Sequence, residues 1–404
     1  MIGPFTSAAV PAMIAVMATT NTDFRPFRVD IPQVELDDLR DRLSKTRWTT
    51  GIPSGADGQA AERYGVPLAE VRRLAGYWRD GFDWRAVEAR INSYPQFITE
   101  IDGQDIHFLH VRSPEQDAIP LILTHGWPGS VLEFADVIGP LTDPRAYGRD
   151  TAPAFHLVIP SLPGFAFSSP LRDRGWSTRR TAAAWAELMH RLGYERYSAA
   201  GNDAGSMISP EIGRLDPEHV IAVHVTQVFS FPSGDPAEFE GMSPEDGAAL
   251  GKLQWFMENK FAFNQLHSQQ PQTLAHALAD SPVGLLGWNL QLMAADAMGD
   301  KPLDDDFILA NVALYWFTNT GGSSIRFYYE DAHGQRPAEP TTVPLGVAGF
   351  AGDFSGIRRF AERDHTNLVQ WNLHPEPGGH YAAHLEPDVL ADDIRAFYAR
   401  FPPA

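Results

Sequence analysis

In the stretch Ala199-Ala200-Gly201-Asn202-Asp203-Ala204-Gly205-Ser206, one carboxylate stands among small residues. Gly201 and Gly205 flank Asp203 two residues to either side. That is the spacing of a strand-to-helix turn whose central side chain sits in strained backbone. Serine is the usual occupant of such an apex. A carboxylate there needs no base to activate it, and attacks carbon to give an ester. Clearing the ester needs a group that takes a proton from water. Downstream, Asp353 lies in Ala351-Gly352-Asp353-Phe354 and His380 in Glu376-Pro377-Gly378-Gly379-His380-Tyr381. Each follows a strand-like run, so a nucleophile, an acid and a histidine come in that order. Upstream, Thr124-His125-Gly126-Trp127-Pro128-Gly129-Ser130 follows another such run. The Trp127 N–H can there join the N–H of Ala204, the residue after the nucleophile, as an oxyanion hole.

Other chemistries find little support. His380 and His384 have the spacing of a metal pair on a helix, but no H-E-x-x-H accompanies them, and the preceding glycines suit a loop. No metal or organic cofactor is expected. No G-x-G-x-x-G or phosphate-loop pattern follows a strand. The 404 residues contain no cysteine, which removes disulfides, thiolate nucleophiles and cysteine-held metals. With 51 acidic against 32 basic residues, the net charge of −19 opposes nucleic acid or an anionic membrane as partner. The apolar run Ala8–Ala18, broken by Pro11, has no basic segment before it and is too short to span a bilayer. Residues 1–22 read as a disordered leader, with Met17 an alternative start, and the whole as a cytoplasmic protein.

Strands and helices must bring these residues together. Phe24–Pro32 reads as extended. Leu36, Leu39 and Leu43, then Leu68, Val71, Leu74 and Trp78, mark two helices separated by a loop over Gly51–Gly58. Asp83 can cap a third helix carrying Trp84, Val87 and Ile91. These form a helical arm over 23–95, expected to pack on the main domain. Strand-like runs follow at Phe97–Ile101, Ile106–Val111, Pro120–Thr124, His156–Pro160, Glu195–Ala200 and Val220–Val228, with Asp102-Gly103 as a hairpin signal. Trp176–Leu192 reads as a helix closed by Gly193. Met207, Ile208 and Ile212 begin another, with Pro210 assigned to its first turn. Over 229–321 strand signals vanish and helical spacing takes over, as in a cap; Trp255, Phe256, Phe261 and Trp288 read as its core. The β/α rhythm returns at Thr342–Phe350 and Leu368–Leu373, and Val389–Phe397 closes the chain. The alternation implies a mainly parallel sheet covered on both faces. The core is divided over 96–228 and 322–404, and nucleophile, acid and histidine occur in the chain order of an α/β-hydrolase fold.

Several stretches together resemble the epoxide hydrolases of the microsomal type. They are His125-Gly126-Trp127-Pro128-Gly129-Ser130, Pro160-Ser161-Leu162-Pro163-Gly164-Phe165, the aspartate turn, Asp280-Ser281-Pro282-Val283-Gly284-Leu285, Arg326-Phe327-Tyr328 and Gly378-Gly379-His380-Tyr381-Ala382-Ala383. Phe24-Arg25-Pro26-Phe27 resembles that family's N-terminal segment, and the likeness runs from about 24 to 400. The resemblance implies an α/β-hydrolase fold with a helical cap and an N-terminal helical arm. It also implies hydrolysis of an epoxide to a vicinal diol through an aspartyl ester. Asp203 resembles the nucleophile, His380 the base, and Asp353 the acid, with Glu362 and Asp364 as alternatives because many relatives have glutamate. Tyr328 matches a tyrosine that protonates the epoxide oxygen. The family's second tyrosine, from the cap, falls at Phe263, which cannot donate; Tyr328 then acts alone or with Tyr381 or Asn264. Trp127 and Phe263 are expected to line a pocket for an apolar or aromatic epoxide. A haloalkane-type dehalogenase with the same nucleophile, and a catalytically weak binding protein of this fold, are the alternatives. A homodimer is compatible with the sequence.

Overall fold

Ile119–Thr124, Phe155–Pro160, Tyr197–Gly201 and Val220–Val225 are almost continuously apolar, as strands covered on both faces must be. The computed structural model describes residues 24–52, 64–149, 153–294, 301–335, 337 and 339–401. The expected leader, and all but the start of the loop expected over Gly51–Gly58, lie outside these residues. In chain order the strands are β1 (Arg25–Phe27), β2 (Gln96–Ile101), β3 (Gln104–Val111), β4 (Ile119–Thr124), β5 (Phe155–Pro160), β6 (Tyr197–Gly201), β7 (Val220–Val225), β8 (Leu345–Phe350) and β9 (Leu368–His374). They form one nine-stranded sheet in the order β1-β2-β3-β5-β4-β6-β7-β8-β9. The pairs from β1 to β5 are antiparallel, and from β5 to β9 every pair is parallel. Asp102 and Gly103, both with positive φ, make the two-residue turn between β2 and β3.

Two strand ends lie three residues from the sequence expectation, and the others from β2 to β9 lie within two. β8 begins after Pro344, which has no N–H for the ladder but whose carbonyl accepts from Val223. β7 stops at Val225, and the next two side chains, Thr226 and Gln227, turn to polar partners. Pro210 lies inside the helix Ala204–Leu215, beyond its first turn, so the Ser206 carbonyl lacks a helical donor.

Between β7 and β8 the chain is helical. Ser243, Ser281 and Asp304 cap the helices Pro244–Asn259, Pro282–Met293 and Asp305–Phe317, the first two with proline in the first turn. The N-terminal helices Gln33–Ser44, Leu68–Asp80 and Trp84–Ile91 bury Leu36, Leu39, Leu43, Leu74, Trp78 and Trp84. Their main partners are these inserted helices rather than the sheet. Trp84 meets Phe317 at 4.9 Å between ring centres, Arg73 pairs with Asp305, and Tyr77 Oη donates to Asp306 at 2.7 Å. No helix among the described residues is long and apolar enough to cross a membrane.

The last helix, Pro387–Tyr398, is tied to the sheet by one buried carboxylate. Asp393 accepts from His224 on β7 and from Gln370, Asn372 and His374 on β9, at 2.7–2.8 Å. Burial pushes this carboxyl up, but the bonds from His224, Asn372 and His374 outweigh it and hold it at about 2. The unfolded value is about 4, so this stability is present above about pH 4 and is lost as pH falls towards 2. Asp393→Asn is expected to cost about 3–5 kcal/mol at pH 7 by stranding buried donors. Urea unfolding at pH 7 and pH 3 checks this: the gap to the parent protein should narrow at the lower pH.

Candidate active site

The carboxyl ends of β4, β6, β7, β8 and β9 are followed by Trp127, Asp203, Gln227, Asp353 and His380 respectively. Parallel strands place their ends on one rim, where α/β sheets build their sites. At the centre Asp203 has φ 52° and ψ −118°, a backbone conformation that a non-glycine residue rarely adopts. Its neighbours must be bare. A Cβ on Gly205 would come within 1.9 Å of the Thr124 carbonyl oxygen, and one on Gly201 within 2.4 Å of the Gly205 backbone. Strand and helix thus meet at contact distance, which lifts the Asp203 side chain off the rim.

The Asp203 carboxylate is held from two sides. The Trp127 N–H donates to Oδ1 at 2.9 Å, and the Ala204 N–H also bonds the carboxylate. The helix Ala204–Leu215 starts there, with its N-terminal dipole directed at the same group. Oδ2 lies 4.0 Å from His380 Nε2, while His380 Nδ1 lies 3.3 Å from Asp353 Oδ2. Asp353 Oδ1 is fixed by the Phe354 N–H at 2.7 Å. The structure therefore gathers Asp203, His380, Asp353, Trp127 and Ala204 into one group. Glu362 and Asp364 instead pair with Arg358 and Arg363 on the helix Arg358–Asp364.

Burial pulls the His380 imidazole down, but Asp353, then Asp203 and Glu133, outweigh it and raise it to about 9. Burial raises Asp203, opposed by His380 and by the Trp127 and Ala204 N–H groups. Glu133 is pushed up to about 8 by burial, against the pull of His380 and Asn202, and is largely neutral at pH 7. One protonated histidine thus faces Asp203, Asp353 and a largely neutral Glu133.

Above this group is an aromatic wall. Trp127 and Phe263 stack with centres 5.6 Å apart and planes at 17°. Tyr328, on the helix Arg326–Ala332, meets both edge-on at 6.1 and 5.9 Å. Burial, then the Asp203 charge, push the Tyr328 hydroxyl well above the ordinary tyrosine range, so it keeps its proton. Of the other expected donors, Tyr381 has its ring centre 5.0 Å from that of His380 and a buried hydroxyl without a partner among the described residues. Asn264 Oδ1 accepts from Ser268. Trp288, expected in the cap core, donates its indole N–H to His267 at 2.9 Å.

Sequence reasoning missed several residues. Gln227 Oε1 accepts from the Asp203 N–H at 2.8 Å, and its Nε2 donates to Asp353 Oδ2 at 2.6 Å. Its signal was one polar residue near the end of an apolar run. Asn202 Nδ2 donates to the His380 carbonyl at 2.9 Å, while its Oδ1 accepts from Thr226. Glu133 was legible only as an acid within Val131-Leu132-Glu133-Phe134. Away from the site, His190, Asp216 and His219 bring ligand atoms within 4.8 Å of one another. They lie at the amino ends of β6 and β7, the opposite rim, and both Asp216 oxygens already accept from the histidine rings.

The chain is similar to known proteins in sequence and in fold. Residues 24–134 match the family model for the epoxide hydrolase N terminus, and residues 119–285 that for the alpha/beta hydrolase fold. A protein of Stigmatella aurantiaca whose epoxide hydrolase name is provisional is 40% identical over 92% of this chain and 83% of its own length. Epoxide hydrolase 1 of Sus scrofa is 31% identical over 94% of this chain and 89% of its own. The solved Aspergillus niger epoxide hydrolase is 32% identical with a TM-score of 0.81, over 95% of this chain and 98% of that one.

The Gln227 bridge is open to test. In Gln227→Leu the buried Asp203 N–H loses its acceptor and Asp353 a donor. Each loss is expected to cost about 1–3 kcal/mol, read as a lowered denaturant midpoint with an unchanged slope.

Proposed function

The chain belongs to the epoxide hydrolases of the α/β-hydrolase fold, and from the arrangement around Asp203 we propose a two-step covalent route to the diol. The observation that carries it is the division of the carboxylate: Oδ1 bonded to the Trp127 N–H, Oδ2 towards His380. In the first step Oδ2 attacks an epoxide carbon. The new C–O bond forms as the ring C–O bond breaks, and the freed oxygen takes the Tyr328 proton. In the second step His380 takes a proton from water, and the hydroxide adds to the Asp203 carbonyl carbon. The Trp127 and Ala204 N–H groups hold the resulting oxyanion, an effect worth about 3 kcal/mol per donor. Collapse releases the diol oxygen, which takes the proton from His380. The regenerated Asp203 carboxyl ionises, which balances the proton given by Tyr328.

The charges support this order of events. In the free protein His380, raised to about 9, is protonated at neutral pH and so is no base. Esterification removes the Asp203 charge, one of those that raise it, so the imidazolium gives its proton to the phenolate left on Tyr328. The imidazole can then accept one from water, and the proton released when the regenerated Asp203 carboxyl ionises restores the imidazolium. The same wall supports an apolar or aromatic epoxide, because Trp127 and Phe263 offer it ring faces. A dehalogenase would want paired indole N–H groups for a halide; Trp127 can supply one, but Phe263 and Tyr328 stand against it, and the indole N–H of Trp288 is already bonded to His267. The strongly acidic composition supports a cytoplasmic setting.

Single-turnover hydrolysis of an aryl epoxide in heavy-oxygen water tests the route. The expected result is label in the Asp203 peptide and an unlabelled first diol; label in the diol alone would overturn it. His380→Gln should accumulate the ester, seen as added substrate mass on Asp203, with turnover lowered at least a thousandfold.

The charge argument has its own check. Ester hydrolysis should rise with pH through a pKa below the value of about 9 that His380 has in the free protein. Stopped-flow rates across pH, set beside an NMR titration of the free enzyme, give both numbers. Equal values would remove the proposed role of esterification.

A further inference from the structure

His267, on the helix Ala262–Gln269, is fully buried yet keeps one unused polar atom. Burial drives its imidazole down to about 3, so it is neutral across the physiological range. A neutral imidazole has one N–H and one bare nitrogen, and only a neighbour can decide which is which. Here Trp288 decides. An indole N–H is a donor and nothing else, and it lies 2.9 Å from His267 Nε2. Nε2 must therefore be the acceptor, and the proton must sit on Nδ1. That Nδ1–H has no hydrogen-bond partner among the described residues.

An orphaned buried donor is rare and costly, and it asks for an explanation. The ring is surrounded by the aromatic wall of the candidate site. Its centre lies 4.7 Å from that of Trp127, 5.0 Å from that of Tyr328 and 5.7 Å from that of Phe263. The wall also lacks a donor where it could use one. Phe263 has no polar atom, and Tyr381 lies against His380 on the hydrolytic side. We propose that the Nδ1–H of His267 is a second hydrogen-bond donor to the epoxide oxygen, acting beside Tyr328 as the ring opens. The proposal rests on the reading of Tyr328 and Asp203 given above. His267 keeps its proton throughout; Tyr328 transfers one. Trp288 acts as a positioning residue, because its N–H holds the imidazole in the donating tautomer. Charge builds on the epoxide oxygen only in the transition state, so such a donor speeds ester formation and leaves ester hydrolysis alone.

The test separates those two steps. Single-turnover rates of ester formation and of ester hydrolysis are measured for the parent protein, His267→Leu and His267→Gln. His267→Leu should slow ester formation by about 10–100-fold and leave hydrolysis within about twofold; His267→Gln, which retains an N–H, should recover part of the loss. Leu and Gln variants equally slow, or a Leu variant forming ester at the parent rate, would overturn the proposal. Should the Leu variant fail to fold, the free parent protein still decides. Its imidazole 15N spectrum should show His267 protonated at Nδ1, and Trp288→Phe should release that preference and slow ester formation. Protonation at Nε2 in the parent protein would sink the idea. If the parent protein forms no Asp203 ester, the covalent reading fails separately. Diol formation by the Leu and Gln variants then reads the donor on its own.

Discussion

The catalytic rim depends on one close approach of backbone to backbone. Gly205 touches the Thr124 carbonyl, Gly201 touches Gly205, and the Asp203 between them is held at positive φ. Strain of this kind persists only when the surroundings over-determine it. Here the Gln227 side chain accepts from the strained N–H, and the start of the helix Ala204–Leu215 fixes the other side. The same turn that stores the strain aims the carboxylate at the Trp127 amide and towards His380. Backbone geometry and chemical role are therefore one feature.

The second constraint is electrostatic. Three carboxyl groups and one histidine crowd a largely dry space, and they cannot all be charged alike. Asp203 is compensated by two backbone N–H groups and by His380, Asp353 by His380 and the Gln227 amide, and Glu133 by remaining largely neutral. Gln227 is well suited to its place because an amide offers one acceptor and one donor face. Its acceptor meets the Asp203 N–H and its donor meets Asp353. A carboxylate there would repel Asp353, and an aliphatic side chain would leave both partners bare.

The inserted helices and the N-terminal arm act as one body over this rim. Arg73, Tyr77 and Trp84 of the arm bind the helix Asp305–Phe317. That helix reaches back to the loop after β4, where Tyr315 donates to the Gly129 carbonyl and Asn311 accepts from Ser130. The arm thus supports the roof of the pocket rather than the floor. Tyr328 and His267, which face each other across the wall, both belong to that roof.

The sequence by itself determined much of this. Apolar runs alternating with helical spacing read as strands buried on both faces, Gly-x-Asp-x-Gly after such a run reads as a tight apex once the other motifs stand beside it, and chain order then orients acid and histidine. Local patterns of that sort are set by sterics within a few residues, so Asp203, Asp353, His380 and Trp127 were legible without coordinates. What only the tertiary structure decided are the long-range polar pairings. Gln227 and Glu133 look ordinary in the chain, and their meaning comes from facing Asp203, Asp353 and His380 across the sheet. The packing of the arm on the inserted helices was likewise invisible, because an amphipathic helix states that it has an apolar face and not what covers it. The proton on His267 is the extreme case. Its position follows from an indole 21 residues further along the chain, and no local pattern encodes which nitrogen that indole will meet.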